Sequence, residues 1–384
     1  MSFLGDSVGL VALLLYVATD TGSALGVALL MLVGDFVPQL FSPFAGTIAD
    51  RLDRRLVMVC CEVGQALLVL AIALTLPPLP VLLGLVLMRS LLATVFQPAS
   101  RAALPSLVSD DELPRANSLI GAGTYGLDVV GPLVAAALLP VLHLRGLLLF
   151  DAATFAVSAI LLITLPRMAR PARTVPTTIL GDAAEGLRYL WRHPVIRVVA
   201  LGFCATVAFN GVDDVALVFL AKDALHQGDS ATSTLYAGVG AGLLIGFAVL
   251  ARWSGRIPMV VLLIVGYAVS SLGNLLTGLA WALIAALGMQ IIRGAGIAAM
   301  ETAHNTLIQR VVPEPLLGRV FGNLYGAVGA AAGLSYVLGG LVLDATGPRF
   351  VLVAAGLGGL LVTAAVAATL PRRLSSARST SGPG

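Results

Sequence analysis

The sequence predicts an all-α membrane protein of twelve transmembrane helices, built as two pseudo-symmetric six-helix bundles. Three observations predict it: composition, the number of apolar runs, and an internal repeat. Of the 384 residues, 58% are apolar and 11% charged, where soluble domains hold roughly 45–50% and about 25%. The mean hydropathy of +0.97 is spread along the whole length, so the composition calls for lipid as the solvent rather than for one large core.

A spanning helix needs about 20 mainly apolar residues to cross roughly 30 Å of hydrocarbon. Pro, Gly and charged breaks divide the chain into twelve such runs. The first six are 4–19, 24–48, 56–76, 81–104, 119–142 and 146–165, and the second six are 195–220, 235–250, 259–279, 281–307, 320–343 and 350–370. The start of the chain lacks the basic region and cleavage site of a signal peptide, so the first run is expected to be retained as a helix. That run is short for a full crossing, which suggests a truncated first helix whose natural start lies upstream.

Orientation follows from the basic residues, which favour the cytoplasmic side. Threading the twelve runs puts eighteen of the 23 Lys and Arg residues on one side. Arg145, Lys222 and Arg349 fall on the other, and Arg89 and Arg293 lie within spans. Both termini share the basic-rich side. The expectation is a multi-pass protein of the cytoplasmic (plasma) membrane with cytoplasmic N- and C-termini.

The one long polar interval between spans divides the chain into an N-terminal bundle (1–165), a cytoplasmic linker (166–194), a C-terminal bundle (195–371) and a disordered tail (372–384). Within the linker, residues 180–191 carry apolar side chains at helical spacing among charges, which predicts a short amphipathic helix on the inner membrane surface. The halves repeat one another. A shift of 204 positions pairs Gly84 with Gly288, Arg89 with Arg293, Ala99 with Ala303, Val108 with Val312, Asp110 with Glu314, Leu113 with Leu317 and Arg115 with Arg319, without a gap. Chance supplies aliphatic matches readily, but not two Arg pairs and an acidic pair in register. A parallel six-helix repeat is the architecture in which two bundles rock about a midplane site.

Composition and motifs also exclude. A net charge of +3 gives a nucleic-acid partner no electrostatic support. Cys60, Cys61 and Cys204 lie in apolar runs without metal-ligand or CxxC spacing. Gly5-Asp-Ser7-Val-Gly9 fits G-x-S-x-G but opens an apolar helix, where a nucleophile elbow needs a strand-to-helix turn. Gly294-Ala-Gly296 follows no strand, and like Gly238, Gly242 and Gly246 it reads as small residues that let helices approach. The only lysine is Lys222 and there is no G-x-x-x-x-G-K-[ST], so no P-loop binds ATP. An enzyme is not expected, and neither is any cofactor.

Four segments resemble the major facilitator superfamily. Gly46-Thr-Ile-Ala-Asp50-Arg51-Leu-Asp53-Arg54-Arg55, between the second and third runs, resembles that family's G-x-x-x-D-R-x-G-R-R loop. Asp53 stands at the usual glycine, and Asp tolerates a left-handed turn. Phe96-Gln-Pro98 through Pro105 leading to 113–119, together with Glu185 to Pro194, resembles the exporter branch related to enterobactin and macrolide efflux proteins. Arg89 stands where many members carry an Arg in the fourth helix, and Gly131-Pro132 resembles the helix-bending antiporter motif of the fifth. The resemblance implies that Gly46, Asp50, Arg51, Arg54 and Arg55 gate the cytoplasmic side, where the plainer reading is a basic cluster that only sets topology.

Charges within lipid are costly and mark transport pathways. Counting ~1.5 Å per residue places Arg89 roughly 12 Å from one end of its span and Asp128 roughly 16 Å from the opposite end of the next. An Arg89–Asp128 ion pair is therefore the first expectation, with Asp35 of the second run competing as partner. A carboxylate so placed can carry protons as its surroundings change. If Asp128 is held by Arg89, Asp35 is left as the carrier; the alternative is one static polar cluster. In the second half Gln290 and Arg293 lie near the midplane, and Asn210 with Asp214 share a helix face, although Asp213 and Asp214 also suit a solvated helix end. Glu301 and His304 read as gate or interface residues, or as solvated ones. The expected activity is proton-coupled efflux of a small amphiphilic or hydrophobic compound, energised by the proton gradient and carried out by a monomer whose partners are that substrate and the bilayer. Uptake of a small metabolite, and a non-transporting membrane sensor or scaffold, are the alternatives.

Overall fold

The computed structural model describes residues 2–21, 24–166, 168, 178–221, 225 and 229–380, with backbone alone for 18, 21, 24, 25, 27, 28, 35, 36, 126–129, 179, 214, 229, 230 and 371–380. The described residues are helical with short turns and contain no strand. In chain order the helices are α1 (Ser2–Thr21), α2 (Ala24–Met31), a π-turn (Leu32–Phe36), α3 (Val37–Gln39), α4 (Ser42–Arg51), α5 (Arg54–Thr75), α6 (Leu79–Ala103), α7 (Leu113–Ile163) and α8 (Ile179–Arg192). They continue as α9 (Pro194–Asn210), α10 (Asp213–Phe219), α11 (Asp229–Trp253), α12 (Met259–Gly278), α13 (Leu283–Val311), α14 (Leu317–Thr346) and α15 (Pro348–Thr380).

Each sequence-drawn run falls on helix, and the departures have local causes. Nine helices among the described residues are long and apolar enough to span, and the pair Leu29–Gln39 and Ser42–Arg51, bent by 55°, makes a tenth as one broken span. The first run forms the shorter apolar helix Ser2–Val17. The fifth and sixth runs are continuous in α7 except at His143, whose φ of 54° and ψ of 179° are not helical. The break in α7 falls at His143, in the interval between the fifth and sixth runs, while Pro132 sits inside helix and Gly131 is where α7 meets Ser7 of α1. Asp53 corrects another expectation. Its φ of −60° is not left-handed; it caps α5, accepting the N–H groups of Arg55 (2.9 Å) and Leu56 (3.4 Å), an arrangement worth about 1 kcal/mol. The tail expected to be disordered from residue 372 continues α15 to Thr380.

Contacts divide the chain into two units. Unit 1 comprises Met1–Leu107, Leu127–Leu187 and Pro313–Gly326; unit 2 comprises Val108–Gly126, Arg188–Val312 and Ala327–Gly384. The core of unit 1 packs Val8, Leu13, Leu30, Ile72, Leu82 and Phe155 of α1, α2, α5, α6 and α7. Its outer surface is apolar too: Leu67, Leu74 and Ile160 are each more than 60% exposed, as lipid-facing side chains are and water-facing ones seldom are. An apolar groove of about 510 Å³ runs between α5 and α7, lined by Val63, Leu67, Leu70, Leu149, Ala156 and Ile160.

In unit 2 the core packs Val212, Leu217, Leu235, Ala286, Leu343 and Leu352. Close helix approach is visible where α11 crosses α13. A Cβ on Gly242 would meet the Ile291 carbonyl and come within 3.0 Å of the Gly294 Cα, so backbone lies where a side chain would be. That is the small-residue packing expected of membrane helices.

Candidate transport and gating sites

Unit 1 buries charge among four helices. Arg89 of α6 is ion-paired through Nη1 with Asp6 Oδ1 of α1. Glu62 of α5 and Asp151 of α7 are each 1% exposed. The Ser2 hydroxyl donates to Glu62 Oε1 at 3.1 Å, while Glu62 Oε2 and Asp151 Oδ1 have no hydrogen-bond partner. Asp151 lies close against α1, where Cβ atoms on Gly5 and Gly9 would strike its carboxylate. These two glycines, one turn apart, admit the acid.

Asp6 is a partner of Arg89 outside the expected set of Asp128 and Asp35. The side chains of Asp35 and Asp128 lie outside the described residues; the backbone of Asp35 is in the π-turn Leu32–Phe36, a distortion frequent at functional sites. Asp6, Glu62 and Asp151 are absent from the sequence-based set. The signal for Glu62 and Asp151 is nonetheless present, since each is the lone acid in its apolar run.

Unit 2 holds a related cluster with a different charge balance. Arg293 of α13 is ion-paired with Asp213 of α10, and its Nη1 donates to Gln290 Oε1 at 3.2 Å. Gln290 Nε2 donates in turn to Thr277 Oγ1 (3.0 Å). Asn274 Nδ2 of α12 donates to Asn210 Oδ1 (2.9 Å) and Asp213 Oδ2 (3.0 Å). Asn210, Gln290 and Arg293 are thus brought together as expected. Asp213 is not a solvated helix end: it is 2% exposed because the guanidinium draws it inward. The side chain of Asp214 lies outside the described residues. The 204-residue shift that relates Arg89 to Arg293 also relates Asp6 to Asn210.

A second polar network in unit 1 centres on Asp50, at the end of α4. Its Oδ1 accepts the Gly318 N–H (3.0 Å) and its Oδ2 the Arg319 N–H (2.9 Å), so one carboxylate satisfies two unpaired donors of the first turn of α14 and meets the positive end of its dipole. Arg54 Nη2 and Arg319 Nε lie 3.5 and 3.7 Å from it. Arg54 also donates to Glu314 Oε1 (3.0 Å) and the Ala102 carbonyl (3.0 Å). Helix α8 joins the same network. Its Asp182 is fully buried, receiving Arg51 Nε at 2.9 Å and standing 3.7 Å from Arg319, and Glu185 pairs with Arg319. The linker helix expected on the membrane surface exists, but its acidic side is turned into the protein.

Gly46 completes this contact. A Cβ there would overlap the Gly318 carbonyl and approach the Gly322 Cα to 3.0 Å. Gly46, Asp50, Arg51 and Arg54 therefore act together, whereas Arg55 turns away and donates to the Ile163 carbonyl. Glu301 and His304 are not solvated. Both are buried in unit 2, with Asn305 donating to Glu301 (3.1 Å) and the His304 ring stacked on Phe203 at 4.3 Å.

Comparison with known proteins agrees with this architecture. The family model described as Major Facilitator Superfamily matches residues 1–322. The MFS-type transporter YfiS of Bacillus subtilis is 26% identical over 373 residues, covering 93% of this chain and 87% of its own. The multidrug efflux pump Tap of Mycolicibacterium fortuitum is 28% identical over 390 residues, covering 96% and 92%, and macrolide efflux protein A of Streptococcus pyogenes 21% over 361 residues, covering 90% and 88%. Among solved structures, an outward-facing bacterial homologue of the iron transporter ferroportin superposes with a TM-score of 0.77 at 18% identity, covering 97% of this chain and 96% of its own. The human organic anion transporter MFSD10 gives 0.76 at 18%, covering 95% and 97%; at these identities the likeness shows the fold. The family model matched over residues 1–322 shows that the chain belongs to the Major Facilitator Superfamily.

Proposed function

We propose that the chain is a secondary active exporter of small amphiphilic or hydrophobic compounds, driven by the proton-motive force across the plasma membrane. The observation that carries this reading is a pair of ion pairs within apolar helices, the half-buried Arg89–Asp6 and the buried Arg293–Asp213, whose arginines occupy equivalent positions of the two repeats. Charges kept inside an apolar shell at several kcal/mol each are functional sites by default. Their placement once per repeat suits alternating access by two rocking halves, 1–165 and 195–371, joined by the linker 166–194. Asp50, with Gly46, Arg51 and Arg54, serves as the cytoplasmic gate, and both termini lie in the cytoplasm. Export is favoured over uptake by the relatives named as multidrug and macrolide efflux proteins.

The test is accumulation of erythromycin and ethidium in bacteria that lack their own pumps, with and without the chain. Expression is expected to lower accumulation of at least one probe severalfold, and a protonophore is expected to restore it. Lowered accumulation that survives collapse of the proton gradient contradicts proton coupling; raised accumulation contradicts export.

A further inference from the structure

Among the described residues, one four-helix cluster of unit 1 sets three acids around one guanidinium. Asp6, Glu62 and Asp151 come from α1, α5 and α7 and lie about Arg89 of α6; Asp151 interacts electrostatically with all three of the others. Asp6 takes the ion pair. If Glu62 and Asp151 were also ionised, two uncompensated negative charges would sit at 1% exposure among apolar helices. That costs several kcal/mol per ion, and the usual escape is to neutralise the group. Glu62 accepts from the hydroxyls of Ser2 and Ser158, yet its Oε2, like Asp151 Oδ1, is buried without a hydrogen-bond partner. The chain's amino terminus also acts electrostatically on Glu62, and the thiol of Cys61 lies beside Glu62 on α5; the side chains of Asp35 and Asp128 lie outside the described residues.

The fold does not require these two acids. At the 204-residue shift, Glu62 corresponds to Gly266 and Asp151 to Ala355. The second repeat balances Arg293 with Asp213 and fills the rest of its cluster with the neutral amides of Asn210, Asn274 and Gln290. Among the described residues, the Arg293 cluster thus lacks the second and third carboxylates that lie about Arg89. Their surroundings are also built for them, with Gly5 and Gly9 leaving room on α1 for the Asp151 carboxylate.

We infer that Glu62 and Asp151 are two proton-binding sites of unit 1, occupied together in the state described, while Asp6 remains ionised against Arg89. The inference rests on the proton-coupled reading and deepens it, moving the proton carrier from Asp35 to this pair and setting the exchange at two protons per cycle. Each carboxylic acid gives its proton to water when the cluster is open to the cytoplasm, and each carboxylate takes one back when it is open to the outer side. Two protons enter for each substrate molecule expelled. With a monocationic substrate one net positive charge moves inward, so export responds to membrane potential as well as to the pH difference.

Infrared spectroscopy of the full chain in lipid bilayers reads these protons without any transport. Near neutral pH the wild type is expected to show the carbonyl band of protonated carboxylic acids, disappearing as pH rises. Asp151→Asn and Glu62→Gln are each expected to remove about half of it, and Asp151→Glu to keep its size while shifting its midpoint. A wild-type spectrum without that band, or one unchanged in both neutral variants, overturns the inference. Erythromycin export driven by an imposed proton gradient is measured in parallel, with at least a tenfold loss expected in both neutral variants. A transporter that ignores the gradient but keeps the variant-sensitive band sinks the coupled-export reading and leaves the two proton sites standing; gradient-driven export without the band sinks the sites alone.

Discussion

Asp50 accepts the backbone N–H of Arg319 at 2.9 Å while standing 3.7 Å from that residue's guanidinium, so a single carboxylate binds both the helix start and the side chain it presents. The geometry gives Asp50 two roles, cap and counter-ion, which separate on substitution. Asp50→Ala strands two backbone donors and leaves Arg54 and Arg319 under-compensated. Loss of a buried ionic partner costs about 3–5 kcal/mol, and thermal unfolding in detergent should drop accordingly, with export reduced at least tenfold. Asp50→Asn retains an acceptor and should fall between the two. An alanine variant as stable and active as wild type would remove the gate assignment.

Gly46 makes a sharper steric prediction, because its obstruction is backbone. A Cβ there meets the Gly318 carbonyl and the Gly322 Cα, neither of which can rotate away. Gly46→Val should destabilise by about 1–3 kcal/mol, as overpacked sites do, and abolish export, with Gly46→Ala intermediate. Near-normal export by the valine variant would show that the approach seen here is dispensable.

For the Arg293–Asp213 pair, the informative experiment is the double substitution. Arg293→Met alone leaves Asp213 buried at 2% exposure without its cation and should cost about 3–5 kcal/mol. Adding Asp213→Leu removes the stranded charge and should recover most of the stability, yet not transport. A double variant no more stable than the single one would mean the pair is not the unit that matters.

The comparison of sequence with structure turns on what a one-dimensional reading contains. Helix positions were legible because apolar runs and their Pro and Gly breaks respond to lipid thickness, a local constraint. Arg89 and Arg293 were legible as cations within such runs. Asp6 was not legible as a partner of Arg89, because depth along a helix is readable from residue count while rotation about its axis depends on packing. Glu62 and Asp151 are visible in the sequence as the lone acids of their apolar runs, but which helices bring them together is set by packing. The part played by α8 was hidden for the opposite reason, since its charges suggested solvent until Asp182 proved buried against Arg51 and Arg319.

His193 offers a pH signature outside the membrane spans. Its Nδ1 accepts the Ile196 N–H at the start of α9, and burial holds its pKa below the ordinary histidine value. The unfolded chain then binds a proton more readily than the folded one. Stability should be unaffected above the unfolded value near 6.5 and should fall as pH drops through it, levelling off below the folded value. Thermal unfolding between about pH 5 and 8 reads this, and His193→Asn, which keeps a capping acceptor without the titration, should lose that component of the slope. An unchanged slope in the variant assigns the pH dependence elsewhere.

The most direct measurement places purified protein in sealed liposomes, imposes a pH difference without any nucleotide, and follows labelled erythromycin alongside a pH-sensitive dye. Proton-coupled export through the two charged clusters predicts drug movement against the proton flux, with dye and label changing together and both flows failing in Asp151→Asn. Drug movement with no accompanying proton flux, across a range of imposed gradients, would contradict it.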